Sequence, residues 1–401
     1  MLEFASSNCR AVNAERAVLE ALELAYGVPD PEVDLLLINA AVGHDLQTLS
    51  HVAMRQCPGA RVLAASCAGV VGPQGPGESL HDIGLIGVRG AEFTVAQVDG
   101  LYGATSLEMG AALGRQLAGT PEPVTMIYLL ASGIDIANDR VIEGIESVLG
   151  PDVVIFGATS SDQMQGVATY QAIDGESFQH AAFAVGFWDP TLAVDTQATH
   201  GFIAVGEPMV VTAADGNRII ELDGKPAWPT YLERMGLGPD ATEGDTIPIG
   251  ALAEELSPEL AQEYGNSHIL RVVTHHTDEG EIIYATEVPV GTKLWLTVRD
   301  EERIFADMDR MMLSMEQRYP DSKPVAVFQA DCLARGRRLF DRVMKEELVH
   351  RMQQPMATDG EIPAWFGMYG FGEYARLGGC NSYHNYTTAL AALYRVGADG
   401  A

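Results

Sequence analysis

Apolar runs and amphipathic segments follow one another in the same order twice in the first half of the chain. Short continuous apolar runs are typical of buried strands, and apolar residues at every third or fourth position indicate a helix. The order strand, helix, strand occurs at 33–40, 46–57 and 62–65 and again at 124–131, 136–149 and 153–156, with both strands displaced by 91 residues. Two copies of one α/β unit are therefore predicted, too long and too few to form a solenoid.

Each copy continues with further strands, and a weaker third copy lies near the C-terminus. The continuing strands are predicted at 83–88 and 93–98 in the first copy and at 181–187 and 192–196 in the second. The third copy has predicted strands at 325–328, 364–369 and 387–394 and an amphipathic helix at 338–352. The pattern therefore predicts three related units.

The segment between the second and third copies is less regular. Residues 207–300 contain short strand patterns and a long connection at 236–249. We place the domain boundary near residue 205, which gives domains at 1–205, with its duplication at about 33–100 and 124–200, and at 206–401. Continuous apolar strands need cover on both faces. The predicted fold class is therefore α/β (mixed α+β), with layered sheets flanked by helices and built from repeated strand-helix-strand-turn-strand units.

A turn of small or polar residues ends the second apolar strand of each copy. The three turns are Ser66-Cys67-Ala-Gly, Thr159-Ser160-Ser-Asp162 and Tyr369-Gly-Phe-Gly-Glu373. Hydroxyls and free backbone N–H groups after a strand suit an anionic group, so Ser66, Cys67, Ser160 and Asp162 are predicted ligand contacts. If the units pack in related orientations, the three turns line one shared cleft.

The charge balance excludes several partners. The chain has 25 basic and 55 acidic residues and a formal net charge of −30, which repels phosphate backbones and anionic lipid surfaces. Direct nucleic-acid binding is therefore not expected. The chain does not start with a charged segment followed by an apolar core, and no apolar run reaches membrane-spanning length. We expect a cytoplasmic protein without direct membrane insertion.

The cysteines and histidines lack the spacing of known metal sites. The five cysteines are widely separated and form no Cys-x-x-Cys pair, which favours reduced thiols over a disulfide framework or a zinc site. The ten histidines are scattered, without a His-Glu-x-x-His or Cys-x-x-Cys-His sequence. The sequence therefore predicts no metal site.

The densest candidate chemistry lies near the C-terminus. Cys332 and Arg335 follow an apolar strand, where α/β proteins often place a ligand crevice. A guanidinium there can hold a carboxylate or lower the pKa of the thiol. Glu373 is placed to accept from a ligand ammonium, and His384 and Asn385 add an imidazole and an amide. The alternatives are an inert buried cysteine, a surface arginine and a carboxylate that satisfies backbone donors.

Three C-terminal stretches resemble the FIST C-terminal domain, a bacterial sensory module. They are Val211 to Ala227, which ends in Leu-Asp-Gly-Lys-Pro-Ala; Val325 to Cys332 with Leu-Ala-Arg335-Gly after it; and Gly367 to Glu373 with Gly378 to Thr388 after it. Looser matches at Val62 to Gly69 and Phe156 to Asp162 are similar to two turns of the companion FIST N-terminal domain. Together the matches span nearly the whole chain, in order.

Resemblance to FIST proteins implies a small-molecule sensor of signal transduction that binds an amino acid or similar metabolite, has no catalytic residue and acts through a partner protein. The further ligand contacts predicted are Cys332, Arg335, Tyr369, Glu373, Asn381, His384 and Asn385. Because some FIST proteins bind haem and respond to nitric oxide, a haem held by His384, His200 or His268 is a second hypothesis. An enzyme that uses Cys332 or Cys380 with His384 is a third.

Overall fold

The computed structural model describes residues 1–163, 165–320, 322–336 and 342–396. Its helices are α1 (Ala14–Tyr26), α2 (Leu46–Gln56), α3 (Ser106–Leu117), α4 (Asn138–Leu149), α5 (Ala227–Met235), α6 (Glu243–Thr246), α7 (Pro258–Tyr264), α8 (Glu301–Arg318) and α9 (Arg342–Gln353). Short 3-10 turns lie at Gly103–Thr105, Leu333–Arg335 and Gln354–Met356. Residues 338–341 of the helix predicted at 338–352 lie outside the described residues.

The strands alternate with these helices along the whole chain. In the first half they are β1 (Glu3–Arg10), β2 (Leu35–Ala41), β3 (Arg61–Cys67), β4 (Val70–Gly72), β5 (Gly75–Gly77), β6 (Asp82–Arg89), β7 (Phe93–Val98), β8 (Met126–Ala131), β9 (Val154–Thr159), β10 (Gln171–Ile173), β11 (Glu176–Phe178), β12 (Ala182–Phe187) and β13 (Leu192–Thr199). In the second half they are β14 (Phe202–Asp215), β15 (Arg218–Leu222), β16 (Lys225–Pro226), β17 (Leu252–Glu255), β18 (His268–Arg271), β19 (Val273–His276), β20 (Ile282–Tyr284), β21 (Lys293–Arg299), β22 (Ala326–Cys332), β23 (Ala364–Gly370), β24 (Gly372–Leu377), β25 (Cys380–His384) and β26 (Thr388–Arg395).

Three six-stranded sheets of the described chain have equivalent strand orders. The first sheet runs β1-β6-β2-β3-β10-β11, the second β7-β12-β8-β9-β24-β25 and the third β13-β26-β22-β23-β4-β5. In each sheet the central pair is parallel and its neighbours are antiparallel. The mixed α/β class is therefore confirmed, and the three repeated units correspond to the three central pairs.

Two of the strands predicted to continue a copy pair instead in the sheet of the next copy. The strand predicted at 93–98 in the first copy is β7, which pairs with β12 in the second sheet. The strand predicted at 192–196 in the second copy is β13, which pairs with β26 in the third sheet. Periodicity identifies a strand by its apolar face, whereas its partner depends on which sheet edge lies within hydrogen-bonding reach.

A β-hairpin from each unit completes the sheet of another unit. The hairpin β10–β11 of the second unit joins the first sheet, where Ala172 pairs with Ala64. The hairpin β24–β25 of the third unit joins the second sheet, and β4–β5 of the first unit joins the third sheet. Each unit thus covers the exposed edge of a neighbour, which an isolated sheet would leave open to pairing with other chains.

The three sheets enclose a common apolar core and carry helices on their outer faces. Aromatic side chains from the second and third sheets meet in this core, with the ring centroids of Tyr128 and Phe328 5.2 Å apart and those of Phe156 and Phe328 also 5.2 Å apart. Helices α1 and α2 cover the first sheet, α3 and α4 the second, and α8 and α9 the third. The strands are consequently buried on both faces, which explains their continuous apolar runs.

The helices begin and end where their sequences provide caps. The side chain of Asn13 accepts a hydrogen bond from the Arg16 amide at the start of α1, and Gly27 ends that helix with a φ of 75°. Asp300 similarly accepts from the Arg303 amide at the start of α8. These contacts satisfy backbone groups that the helix ends leave without partners.

The less regular segment forms a fourth sheet between β13 and β22. Its strand order is β18-β17-β21-β14-β15-β20-β19, with β16 paired to β15 and helix α5 packed against it. The predicted long connection at 236–249 contains the short helix α6. The boundary near residue 205 stays a prediction. Within the described residues, no helix is both long and apolar enough to cross a membrane.

Candidate functional site

The three small-residue turns predicted from the sequence meet at one place. The Ser161 amide donates to the Ser66 carbonyl at 3.0 Å, and the amides of Ala68 and Tyr369 donate to the carbonyls of Tyr369 and Gly69 at 3.1 and 2.9 Å. The Ser161 hydroxyl donates to the Tyr369 carbonyl at 2.7 Å and accepts from Ala68 at 2.9 Å. These backbone groups bind one another, so the turns join the three sheets and do not offer the same groups to a ligand.

The predicted N-terminal contacts satisfy local polar groups. The Ser66 hydroxyl accepts from the Tyr170 amide at 3.0 Å, and the Ser160 hydroxyl accepts from the Gln171 side-chain amide at 2.7 Å. Cys67 lies in the central apolar core, where burial raises the pKa of its thiol to about 12. Within the described chain, the structure therefore gives these three side chains packing and hydrogen-bonding roles.

Asp162 organises its own loop. Its carboxylate accepts from the backbone amides of Gln165, Gly166 and Val167 at 2.8, 3.2 and 2.9 Å. Those are donors of the kind expected to hold an anionic ligand. A resident carboxylate already binds them, as is common for aspartate in a turn.

A buried polar cluster lies beside the turn junction, formed by Asp331, Arg335, Glu373 and His384. Asp331 lies near the end of β22, and the 3-10 turn that follows carries Arg335. Glu373 and His384 are paired across the antiparallel β24–β25 ladder. Arg335, Glu373 and His384 are 1%, 0% and 1% exposed. The ends of β22, β24 and β25 thus bring together Arg335, Glu373 and His384, which the sequence had predicted as ligand contacts.

Arg335 is held by Asp331 and by a carbonyl. The guanidinium Nε lies 3.3 Å from Asp331 Oδ1, and Nη1 donates to the His200 carbonyl at 3.0 Å. Asp331 Oδ2 also accepts from the Thr388 hydroxyl at 2.8 Å and from the Gln329 amide at 3.2 Å. Burial raises the pKa of Asp331, and the neighbouring guanidinium opposes that shift. Two elements therefore fix the position of the Arg335 side chain.

Several polar atoms of this cluster have no hydrogen-bond partner among the described residues. They are both carboxylate oxygens of Glu373, Nη2 of Arg335 and Nδ1 of His384, and also Nε of Arg335 and Oδ1 of Asp331, which face each other only as an ion pair at 3.3 Å. Burial, and then the nearby Asp331, raise the pKa of Glu373 well above its ordinary value, while the Thr387 amide and Arg335 oppose the shift. Without an added cation, Glu373 therefore favours its protonated, neutral form.

The two imidazoles at the cluster are neutral. His384 Nε2 lies 2.7 Å from the Ser382 hydroxyl, and burial lowers the pKa of His384 to about 3, with a further contribution from Arg271. His200 Nε2 lies 3.0 Å from the His268 carbonyl, and its Nδ1 accepts from the Phe202 amide at 2.9 Å. Burial lowers the pKa of His200 to about 3 as well. Neither ring therefore adds positive charge near neutral pH.

The geometry does not favour a thiolate. Burial and the Glu373 carboxyl raise the pKa of Cys332 well above its ordinary value, so the expected lowering by Arg335 is wrong. Cys380 is exposed at the start of β25, paired with Leu377 and four residues before His384. Four residues of strand extend over roughly 13 Å, which is too far for a thiol to exchange a proton with the imidazole.

The two predicted asparagines hold neighbouring segments in place. Asn381 donates to Glu146 Oε1 at 2.7 Å and to the Val153 carbonyl at 2.9 Å, outside the buried polar cluster. Asn385 donates to the Phe371 carbonyl at 3.0 Å and accepts from the Val272 amide at 3.2 Å. Their side-chain amides are therefore engaged with the protein.

The sequence reasoning missed Asp331, Ser161 and Tyr264, and it named His200 only as a candidate haem ligand. Asp331 is an acidic residue in the mostly apolar strand Ala326–Cys332, and such a charge is seldom buried without a partner. That signal was available in the sequence. Tyr264 carried no comparable signal, because its ring reaches the cluster from the fourth-sheet segment, more than 100 residues away from His384 in the chain.

Each of the three histidines named for haem already has at least one ring nitrogen engaged in this arrangement. Both ring nitrogens of His200 are engaged, and His268 Nδ1 lies 2.9 Å from the Ser267 hydroxyl. The ring of His384 packs against Tyr264, with the centroids 5.5 Å apart, and Ser382 engages its other nitrogen. Haem ligation through His384 would require the tyrosine to be displaced, and haem binding stays a prediction.

The fold and the cluster define a three-unit α/β protein with a buried charged centre in its C-terminal unit. Sequence profiles identify residues 34–225 as a FIST N domain and residues 230–376 as a FIST C domain. The chain belongs to the FIST family. FIST domains are associated with signal transduction and small-ligand sensing.

Related proteins cover about half of the chain. An uncharacterized protein of Mycobacterium tuberculosis strain H37Rv is 30% identical over 203 residues, 48% of this chain and 49% of its own length. One of Mycobacterium bovis is 28% identical over 201 residues, 48% of each chain. The chain thus spans about half the length of the curated relatives it matches. A solved structure, the cyanuric acid hydrolase of A. caulinodans, covers 98% of this chain and 99% of its own at 10% identity, with a TM-score of 0.36. That degree of likeness carries no functional inference.

Proposed function

We propose that this protein is a cytoplasmic sensor that binds an amino acid or a similar small zwitterion at the buried polar cluster. The ligand-bound protein then signals by associating with a partner protein. The family supports the sensory role, and none of the five cysteines forms a disulfide, which accords with a reducing compartment. One observation carries the location: Arg335 and Glu373 are buried and hold polar atoms without hydrogen-bond partners among the described residues.

The energetic argument rests on the rarity of such atoms. A buried donor or acceptor without a partner costs about 1–3 kcal/mol, and native proteins satisfy nearly all of them. Apart from the two atoms of the Arg335–Asp331 ion pair, four such atoms, on Arg335, Glu373 and His384, lie in one cluster. A bound molecule with complementary groups would recover much of that free energy. Ordered water would satisfy the same atoms, so the experiment must distinguish water from a ligand.

The chemistry of the two charged groups indicates the ligand. The free Nη2 of Arg335 is suited to donate to a ligand carboxylate. An ammonium group beside Glu373 would favour the ionised carboxylate, because its positive charge would then compensate the negative charge that the proton otherwise neutralises. A small α-amino acid carries both groups on one carbon, which matches the presence of both side chains in a single cluster. A thiol nucleophile has no support, because Cys332 is buried and the pKa of its thiol is raised.

Thermal unfolding with each of the twenty amino acids tests this proposal. We expect one or a few to raise the Tm of the natural protein, since a ligand at 100 times its Kd stabilises the folded state by about 2.7 kcal/mol. Arg335→Met and Glu373→Gln should each raise the Kd of that ligand by at least about tenfold, because each removes one charge-assisted hydrogen bond. Asp162→Asn is the matched control. The Asp162 carboxylate holds its own loop, so this substitution should leave ligand binding unchanged.

The outcomes separate the possible sites. Loss of binding in Asp162→Asn with retention in Glu373→Gln would place the ligand at the N-terminal turns and contradict the proposed location. If no amino acid shifts the Tm and native mass spectrometry of the purified protein shows no bound molecule, ordered water satisfies the polar atoms of the cluster and the proposed ligand is rejected. Each variant's own Tm without ligand is the baseline, so a general loss of stability is not mistaken for a loss of binding.

A further inference from the structure

The buried polar cluster is closed off from solvent. Arg335, Glu373 and His384 are at most 1% exposed, so a ligand cannot reach them from solvent in the folded arrangement. Tyr264, the last residue of α7, covers them on one side. Its ring lies between two imidazoles, with centroids 5.3 Å from His200 and 5.5 Å from His384. Its hydroxyl lies 3.3 Å from that of Thr387, the residue whose amide faces Glu373.

We propose that helix α7 is a lid over the buried polar cluster and that Tyr264 is the side chain that closes it. The proposal rests on the ligand site proposed above, and it adds the route by which a ligand enters. Helix α7 has seven residues, and Tyr264 is the buried one among them. Leu260 is half-buried and packs toward Gly378 in the turn of the β24–β25 hairpin. A segment held by so few buried groups opens at lower free energy than the sheets around it.

Both ends of α7 carry residues typical of helix ends. The helix begins at Pro258 after the capping Ser257, and Gly265 ends it with a φ of 69°. A side chain at position 265 would strain the backbone and overlap Arg310, whose guanidinium comes within 1.9 Å of the place of a β-carbon. Glycine at this position therefore allows the chain to leave the helix directly beneath the arginine.

Helix α8 holds the lid shut from outside. Arg310 Nη2 donates to the Tyr264 carbonyl at 3.0 Å, and Arg303 Nη2 donates to the Gly265 carbonyl at 3.5 Å. Asp307 lies between them and pairs with both guanidinium groups, with N–O distances of 3.2 and 3.7 Å. Cations at carbonyls of a helix C-terminus are favourable, so this contact stabilises the closed position. Arg310 is half-exposed, and solvent can replace its hydrogen bond when the lid opens.

The outer side of the lid leaves room for the movement. An open groove of about 620 Å³ separates α7 from α8 and is lined by residues of both helices, among them Glu259, Glu263, Leu313 and Arg318. Outward rotation of α7 into this groove would withdraw the Tyr264 ring from between the imidazoles. The same rotation would change the groove surface, so ligand entry at the cluster is coupled to a change on the outside of the protein.

Thiol labelling tests the lid without any ligand. Cys332 lies beside the cluster and Cys67 lies in the central core, and both are buried. Iodoacetamide labelling at pH 8.5, followed by peptide mass spectrometry, gives the rate for each cysteine in the same sample. We expect Tyr264→Ala to raise the Cys332 rate by at least about tenfold and to leave the Cys67 rate unchanged, because local opening exposes one thiol and global unfolding exposes both. Tyr264→Phe, which keeps the ring, should change the labelling rate of Cys332 by less than about threefold.

A second variant removes the contact from α8 without touching the buried ring. Arg310→Ala should raise the Cys332 rate several-fold, and Arg351→Ala, on α9, should not, although Arg351 is equally exposed and also pairs with acidic residues. Unchanged Cys332 labelling in Tyr264→Ala and Arg310→Ala, or a parallel rise of Cys332 and Cys67, would overturn the lid. A positive labelling result with no amino-acid binding would keep the lid and reject the proposed ligand.

Discussion

At the scale of single residues, the buried polar cluster makes stability depend on pH in two opposite ways. Burial lowers the pKa of His200 and His384 to about 3, so between roughly pH 3 and 6.5 the unfolded state binds more protons than the folded state. The free energy of unfolding is therefore not reduced by these imidazoles above about pH 6.5, and it falls as the pH drops from about 6.5 to about 3. Burial raises the pKa of Glu373, so above pH 4.5 the folded state keeps a proton that the unfolded state releases. Its contribution therefore falls as the pH rises.

Glu373→Gln isolates the second effect. Relative to the natural protein, the variant should gain stability as the pH rises above about 4.5, by up to about 1.4 kcal/mol per pH unit until the folded-state pKa of Glu373 is passed. Urea unfolding at pH 5, 6, 7 and 8, without added ligand, measures the difference. Glu259→Gln, an exposed change on α7, is the control and should give a constant difference. Parallel curves for Glu373→Gln and the natural protein would show that Glu373 ionises normally in the folded state.

The same residues show how far a sequence predicts a site. Arg335 is predicted from its place after an apolar strand, and Glu373 and His384 from the polar side chains of the glycine-rich C-terminal stretch; the structure brings the three together. Ser66 and Asp162 also lie in small-residue turns after strands, yet Ser66 accepts from the Tyr170 amide and Asp162 binds its own loop. The difference lies in which backbone donors are already paired, and that depends on tertiary contacts which local spacing does not contain.

At the scale of elements, the repeat was predictable and the pairing was not. The two parallel pairs β2–β3 and β8–β9 follow from apolar runs displaced by a constant 91 residues. The hairpins that pass to another sheet have strands as short as three residues, for example β4 and β10. Three residues give almost no periodicity, and hydrogen bonding to a distant edge leaves no mark in local sequence.

Gly157 in β9 shows why the parallel pair of the second sheet needs a glycine. Its φ is 137°, and a β-carbon there would come within 2.0 Å of the Leu129 carbonyl. Gly157→Ala should therefore lower the free energy of unfolding by about 3 kcal/mol, the combined cost of backbone strain and overpacking. Gly216→Ala, also at positive φ but with open space around it, should cost about 1 kcal/mol. Urea unfolding measures both, and equal losses would contradict the steric argument.

At the scale of the whole molecule, the exchanged hairpins join the three sheets in a closed cycle. The first unit pairs with the third at Val70 and Met368, the third with the second at Gly372 and Thr159, and the second with the first at Ala172 and Ala64. The sheets also share one apolar core. Removing any unit would expose two sheet edges and part of that core. The three units should therefore unfold together, unlike repeats that contact their neighbours in a line.

A small core change in one sheet tests this cooperativity. Ile155→Val, in β9 of the second sheet, removes one buried methylene and should cost about 1 kcal/mol. If unfolding is concerted, the most protected amides of β2 and β22, in the first and third sheets, should lose the same free energy in native-state hydrogen exchange as those of β8. Ile203→Val, at an exposed position, should leave the exchange free energies of the amides in β2, β8 and β22 unchanged. A loss confined to β8, β9 and β12 would mean that the second sheet opens alone, and the hairpins would then be edge covers without a cooperative role.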